Sequence, residues 1–214
     1  MNHCNLPCLK NKRKSALIKI SREENLKINE KLDRDTFRDE IMVRLGRRLG
    51  ITFSKIPTRR FLEMFILPCL KGPILFIGWD PSYTGFYTKI CKMKTADYDA
   101  KTNPDVVLDI TTKNIKKKKI GTYNSIIFSG VISYGVNTDK AIKKALKNCA
   151  SLLKKGGTLI IGWNNRWSWV DELKKDVFFS ESKIRKLTKP YFSSIKSLKH
   201  PKDAWKHRYL IAIK

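Results

Sequence analysis

Phe76-Ile77-Gly78-Trp79-Asp80-Pro81-Ser82-Tyr83-Thr84-Gly85, residues 76–85, follows the apolar run Pro73-Ile74-Leu75-Phe76-Ile77 and turns abruptly polar. A short apolar run bounded by Gly72-Pro73 on one side and Gly78 on the other has the texture of a buried strand. Downstream, short apolar runs alternate with amphipathic segments. Residues 82–90 read as a helix with Tyr83, Phe86, Tyr87 and Ile90 facing inward, and residues 94–96, 106–108 and 125–128 read as strands. Residues 138–153 form the clearest helical pattern, with Ile142, Ala145, Leu146, Cys149, Leu152 and Leu153 on one face and Lys140, Lys143, Lys144 and Lys147 on the other. Gly156-Gly157 stops that helix, and residues 158–161 make the next strand. A helix near 170–175, a capped helix start at Ser180 and strands around 192–198 and 208–213 complete the chain. Strands alternating with helices predict an α/β fold with a mostly parallel sheet covered by helices on both faces.

Upstream of residue 72 the texture is helical. Ser21-Arg22-Glu23-Glu24 and Thr36-Phe37-Arg38-Asp39 have the form of capping boxes, and Phe37, Ile41, Leu45 and Leu49 recur at four-residue steps until Gly50. After Pro57, the residues Phe61, Leu62, Phe65 and Ile66 predict a further short helix. The organisation expected is a basic, flexible stretch over 1–20, a helical extension over 21–71 and an α/β domain over 72–214. The 214 residues are 42% hydrophobic and 10% aromatic, enough for a buried core. Forty-five Lys and Arg against 19 Asp and Glu give a net charge of +26, which attracts polyanions and admits nucleic acid as a partner. Solvated lysine faces explain most such runs. The five cysteines form no C-x-x-C pair and no finger-like spacing, so reduced thiols and no metal site are expected. No apolar stretch reaches the ~18 residues of a membrane span and no signal-peptide core is present, so a cytoplasmic protein is expected.

The landmarks from residue 72 onward resemble the class I S-adenosylmethionine (SAM)-dependent methyltransferases. Gly78 stands where that family's first strand ends in a glycine-rich turn. Lys94-Thr95-Ala96-Asp97-Tyr98-Asp99 is similar to its second strand, and Asp105-Val106-Val107-Leu108-Asp109-Ile110 to its third. Tyr123-Asn124-Ser125-Ile126-Ile127 resembles the entry to the fourth, and Leu152-Leu153-Lys154-Lys155-Gly156-Gly157-Thr158-Leu159-Ile160-Ile161 resembles the L-x-P-G-G-x-L signature of the fifth. His207-Arg208-Tyr209-Leu210-Ile211-Ala212-Ile213 suits an antiparallel seventh strand. The resemblance implies a Rossmann-like seven-stranded sheet and SAM as cofactor. It implies a ribose grip by the second strand's terminal carboxylate, at Asp97 or Asp99, and an adenine held by Asp109 and its apolar neighbour Ile110. A carboxylate about 20 residues beyond the turn is also what a βαβ unit needs to reach a ribose.

The turn itself departs from the pattern: Asp80 and Ser82 replace the later glycines, with Trp79 beside them. Asp80 could receive the methionine ammonium, and Ser82 or Tyr83 its carboxylate. A rival parsing takes Asp80-Pro81-Ser82-Tyr83 as the D-P-P-Y-like corner of a nucleic-acid amino-methyltransferase. That corner belongs after the fourth strand, and no G-x-G occurs elsewhere to supply the cofactor turn.

Methyl transfer is an in-line displacement in which alignment can be the enzyme's main contribution, so no catalytic residue is singled out. His200 and His207 are candidate bases for a hydroxyl or amine acceptor. The loop Ser129-Gly130-Val131-Ile132-Ser133-Tyr134-Gly135 offers Ser129 and Gly130 for close approach to a cofactor and Tyr134 to shape a pocket. Gly162-Trp163-Asn164-Asn165-Arg166-Trp167 offers Trp163, Asn164 and Arg166 to an acceptor. The reading is a methyltransferase acting on a small molecule or a sugar precursor. Its alternatives are a non-catalytic Rossmann-like module binding nucleic acid or a protein through its basic surface, or a nucleic-acid methyltransferase.

Overall fold

The structure, a computed structural model, describes residues 12–80, 93–115, 119–164, 179–198 and 207–214. They divide into two compact units, one ending at Cys69 and the other running from Leu70 onward.

The first unit is helical: α1 (Lys14–Glu23), α2 (Arg34–Arg48) and α3 (Pro57–Phe61), the last continuing as a π-helical turn (Leu62–Ile66) and a 3-10 turn (Leu67–Cys69). Two expectations are corrected. Helix α1 starts at Lys14, inside the stretch read as flexible, and Ser21 lies in its last turn rather than at a start. There the Ser21 hydroxyl donates to the Leu26 carbonyl at 2.9 Å while Leu26 N–H donates to the Ser21 carbonyl, a reciprocal pair that closes the chain reversal after α1. The cap of α2 is Asp33, whose side chain accepts from Asp35 N–H and Thr36 N–H, so Thr36 is already helical. Asp caps as well as Thr does, and it comes first along the chain. Phe37, Ile41 and Leu45 are buried as their spacing predicts, whereas Leu49 is 42% exposed because the chain leaves the helix there.

Glu63 sits on the π-helical turn at 2% exposure and accepts from Ser54 N–H at 2.6 Å. Loss of water raises its pKa from 4.5 to about 7, against the opposing pull of that N–H and of Arg59 and Arg60. The unfolded chain therefore deprotonates first, and stability present below about pH 4.5 is lost as pH rises through about 7. Glu63→Gln keeps an acceptor for Ser54 and removes the charge. Thermal denaturation should show the variant's midpoint above that of the parent at pH 8, by up to about 3 kcal/mol of stability, with the gap closing at pH 5.

The second unit is a seven-stranded sheet: β1 (Ile74–Ile77), β2 (Met93–Asp97), β3 (Val106–Val107), β4 (Tyr123–Ser129), β5 (Leu153–Asn164), β6 (Ser194–Leu198) and β7 (His207–Ile213), in the order β3-β2-β1-β4-β5-β7-β6. Neighbours are parallel up to β5, and β7 runs antiparallel to both β5 and β6. This is the Rossmann-like arrangement expected. Helices α4 (Asp139–Leu152) and α5 (Glu181–Thr188) share one core with Leu75, Ile77, Ala96, Ile126, Phe128, Leu159, Ile161, Leu210 and Ala212. Alternation then directs Ile74, Phe76, Ile127 and Ile160 to the opposite face, where they are equally buried. Thr138 caps α4 by accepting from Ala141 N–H, and Ser180 caps α5 by accepting from Lys183 N–H.

Strand β5 is longer than expected. Leu153 leaves α4 directly in an extended conformation, so Gly156-Gly157 lie within the strand rather than ending the helix. The glycines mark an irregularity: Gly156 has φ +74°, and pairing with β4 shifts between Tyr123 and Ser125. The helices expected over 82–90 and near 170–175 lie outside the described residues. Among the described residues no helix is long and apolar enough to cross a membrane.

Candidate cofactor and acceptor site

Strand order reverses between β1 and β4: the chain proceeds from β1 to β2 and β3 on one side, then crosses to β4 on the other. In such sheets the crevice for a ligand opens at the carboxyl ends of the strands flanking that switch. Register shows what lines it. Ile77 is level with Ala96 and Phe128, so the next residue, Gly78, is level with Asp97 and Ser129. Ser129 pairs with Gly162, and Gly162 with Tyr209. One row thus crosses five strands as Asp97, Gly78, Ser129, Gly162 and Tyr209; alternation directs Asp97, Ser129, Gly162 and Tyr209 to the face away from α4, while Gly78, just past β1, has left strand geometry. Its middle is two glycines and a serine.

The glycines are there because the backbones are close. Gly78 has φ +87°, and a Cβ on it would overlap the Ser129 carbonyl oxygen and lie 2.6 Å from Val131 Cγ2. A Cβ on Gly162 would overlap the Ser129 hydroxyl and lie 2.7 Å from Tyr209 Cε1. The turn is pinned to β2 by Gly78 N–H and Trp79 N–H, both donating to the Ala96 carbonyl at 3.0 and 3.3 Å. Trp79 is 8% exposed with its ring edge-on to Phe76, 5.9 Å between centroids, so its indole packs against β1.

Asp97 ends β2 at 9% exposure, and its Oδ1 accepts from Asp99 N–H at 2.9 Å. Burial raises its pKa, reinforced by the negative charges of Asp99 and Asp80, while the N–H groups of Asp99 and Tyr98 oppose the rise. A carboxylate has about four lone-pair positions, so the Asp99 bond leaves capacity for a diol. Asp99 itself is a local cap, accepting from Lys101 N–H at the 3-10 turn Ala100–Thr102. Asp109 is exposed after β3 and accepts from Thr111 N–H and the Thr111 hydroxyl, each at 2.7 Å. Ile110 is buried, and its carbonyl accepts from Asn148 of α4 at 2.7 Å, which fixes the loop's position.

Beyond β4, Gly130 is exposed with φ +74° and Tyr134 is 54% exposed. Trp163 is corrected: it offers no stacking face, being 1% exposed in the core beside α4 with its indole N–H donating to the Phe179 carbonyl at 2.9 Å. Alternation explains this, since Trp163 falls on the opposite face from Gly162 and Asn164. Asn164 instead meets His207, its direct partner across β5 and β7, with Oδ1 2.6 Å from Nδ1. Arg166, like Ser82 and Tyr83, lies outside the described residues. Two features escaped the sequence reading. Tyr98 is 69% exposed, and its ring reaches Gly135 of the β4 loop, 3.9 Å from where a Cβ there would stand. The small residue at Gly162 completes the floor and was legible only as part of a loop. Among the described residues no group of three or more His, Cys, Asp or Glu is placed to hold a metal ion.

No family model matches the chain, and no curated protein matches it. Solved structures do. The chain is similar to a TehB-like SAM-dependent methyltransferase from Corynebacterium glutamicum, with 14% identity, 82% of this chain and 97% of that one covered, and a TM-score of 0.50. It is similar to an O-methyltransferase family protein from Burkholderia thailandensis, with 10% identity, 84% and 59% covered, and a TM-score of 0.52. The CurJ carbon methyltransferase gives 18% identity, 69% and 50% covered, and a TM-score of 0.52. Identities this low establish the fold alone: the sheet that carries Asp97 and Gly78 is folded as in these methyltransferases.

Proposed function

We propose that the chain is a SAM-dependent methyltransferase acting on a small molecule or a sugar precursor. The observation that carries the reading is the buried Asp97 carboxylate, level with Gly78 across the β1–β2 pair at the switch point of the sheet. The residues fit the cofactor in three respects. Asp97 can accept from two vicinal ribose hydroxyls, and charge-assisted bonds of that kind are among the stronger ones. Gly78, Ser129 and Gly162 keep the floor low enough for close approach, with Gly130 continuing it. Asp80, Asp97 and Asp99 give the crevice a negative potential suited to a ligand carrying a sulfonium and an ammonium. Asp109 and Ile110, at the mouth of β3, would border the adenine.

The cofactor supplies an electrophilic methyl group. The chain's own contribution is alignment: a row of strand ends holds one reactant, and the loop after β4, with Tyr134, and the end of β5, at Asn164, border the other. Isothermal titration with SAM and with its demethylated product, S-adenosylhomocysteine, tests the reading. Micromolar binding of both is expected. Affinity should fall as pH is lowered through the titration of Asp97, which burial places above the usual carboxylate range near ~4, because the protonated acid loses its charge-assisted bonds. No heat at millimolar ligand would remove the reading.

A further inference from the structure

The outer side of α4 carries charge of one sign. Lys140, Lys143, Lys144 and Lys147 fall at i, i+3, i+4 and i+7, a single stripe opposite the buried Ile142, Ala145, Leu146 and Cys149. Like charges so spaced weaken a helix, and a face that is only solvated interleaves both signs. Helices α1 and α2 do interleave them: Lys19–Glu23, Arg44–Glu40 and Arg48–Glu24 pair at 3.7–3.9 Å. Among the described residues none of the four α4 lysines has a carboxylate partner. The two acids of α4 and α5 are taken up elsewhere, Asp139 by Lys183 at 2.8 Å and Glu181 by Arg185 at 3.3 Å. The first of these pairs joins the helices at their N-terminal ends, so Lys186, one turn beyond Lys183 and exposed, borders the stripe, with the exposed Lys189 following α5.

The make-up of this face points to its partner. The exposed large hydrophobic residues of the described chain, Leu49, Ile56, Tyr98, Val107 and Tyr134, all lie off α4 and α5. A bilayer surface is gripped by apolar side chains inserted beside the cations, and unpaired bases by aromatic platforms. Ammonium groups alone are point charges that respond to charge density, and a duplex presents one phosphate per ~1.7 Å of its axis. From Lys140 to Lys147 the helix rises about 10 Å, roughly three phosphates of one strand at ~3.4 Å each.

We propose that the outer face of α4, bordered by Lys186 and Lys189, binds the phosphate backbone of double-stranded nucleic acid without regard to sequence. The surface is separate from the crevice floor, since alternation directs Ser129 and Gly162 to the opposite face of the sheet. It stands whether or not a cofactor binds.

Fluorescence anisotropy of the full-length protein with a labelled duplex of about 20 base pairs, tried as DNA and as RNA, tests the proposal. Micromolar binding to at least one of them is expected at about 0.1 M salt, with the logarithm of affinity falling by about 4 per tenfold rise in salt. Lys143→Gln combined with Lys147→Gln should lower that slope by about 2 and the affinity by about 50-fold at about 0.1 M salt. Glutamine keeps the helix-forming tendency of lysine, so the melting temperature should hold or rise as the like-charge contacts go. Lys27→Gln combined with Lys31→Gln removes the same charge from exposed positions of the first unit and should cost less than about threefold. Equal losses in the two variants would overturn the proposal, because the total charge rather than this face would then be responsible. Tighter binding to a single strand of the same length, capture by phosphatidylserine vesicles that the duplex does not compete away, or binding to neither duplex would also overturn it.

Discussion

Asp97→Asn should weaken binding of S-adenosylhomocysteine by about 100-fold while the unliganded protein melts at the same temperature or slightly higher. The amide keeps an oxygen for Asp99 N–H, which Asp97 Oδ1 now accepts at 2.9 Å, so the β2 turn survives. What is lost is the charge. Two hydroxyl donors to a carboxylate contribute about 3 kcal/mol together at the lower end of the charged range, and that is two powers of ten in affinity. The free protein gains because the charge is desolvated and faces the negative fields of Asp99 and Asp80. Calorimetry and a thermal melt on the same sample read both effects. Binding within threefold of the parent would mean that Asp97 does not face the ligand.

The second large effect concerns the floor. Gly78→Ala combines a backbone at φ +87° with a Cβ overlapping the Ser129 carbonyl, and neither strand can retreat without breaking the β1–β4 ladder. The left-handed conformation alone costs about 1–2 kcal/mol, and the clash with backbone brings the total to about 3 kcal/mol or more. A fall in melting temperature of about 6–12 °C is expected, with binding lost. Gly130→Ala is the control. Its φ is +74°, but the nearest atom to an added Cβ is Gly78 O at 4.0 Å, so only the conformational penalty of about 1–2 kcal/mol remains. Equal losses in the two variants would show that the floor is not packed as described.

Much of this architecture is legible along the chain. The apolar runs at 74–77 and 125–128 are flanked by turn residues, and Ile142 to Leu152 keep a helical period, so the strands and α4 stand out before any coordinates. Asp97 is legible because its distance from Gly78 is a property of a βαβ unit. What is not legible depends on the third dimension. Whether Trp163 or Asn164 faces the crevice turns on a one-residue phase, and the run Leu159 to Trp163 is apolar on both faces, so nothing along the chain sets that phase. The Asn164–His207 contact joins residues 43 apart through β5–β7 register, which no local pattern encodes. The sequence offers Thr36 as well as Asp33 as a good cap for α2, and Asp33, which comes first, takes the N–H groups. Residues Pro81, Ser82 and Tyr83, where the turn departs from the glycine-rich form, lie outside the described residues, so the cofactor argument stands on Gly78 and Asp97.

A crystal structure of the protein with S-adenosylhomocysteine should show the ribose hydroxyls within about 2.5–3.0 Å of the Asp97 carboxylate, with the sulfur on the β4–β5 side of Gly78. A nucleoside bound elsewhere, or a crevice that stays closed at saturating ligand, would contradict this placement.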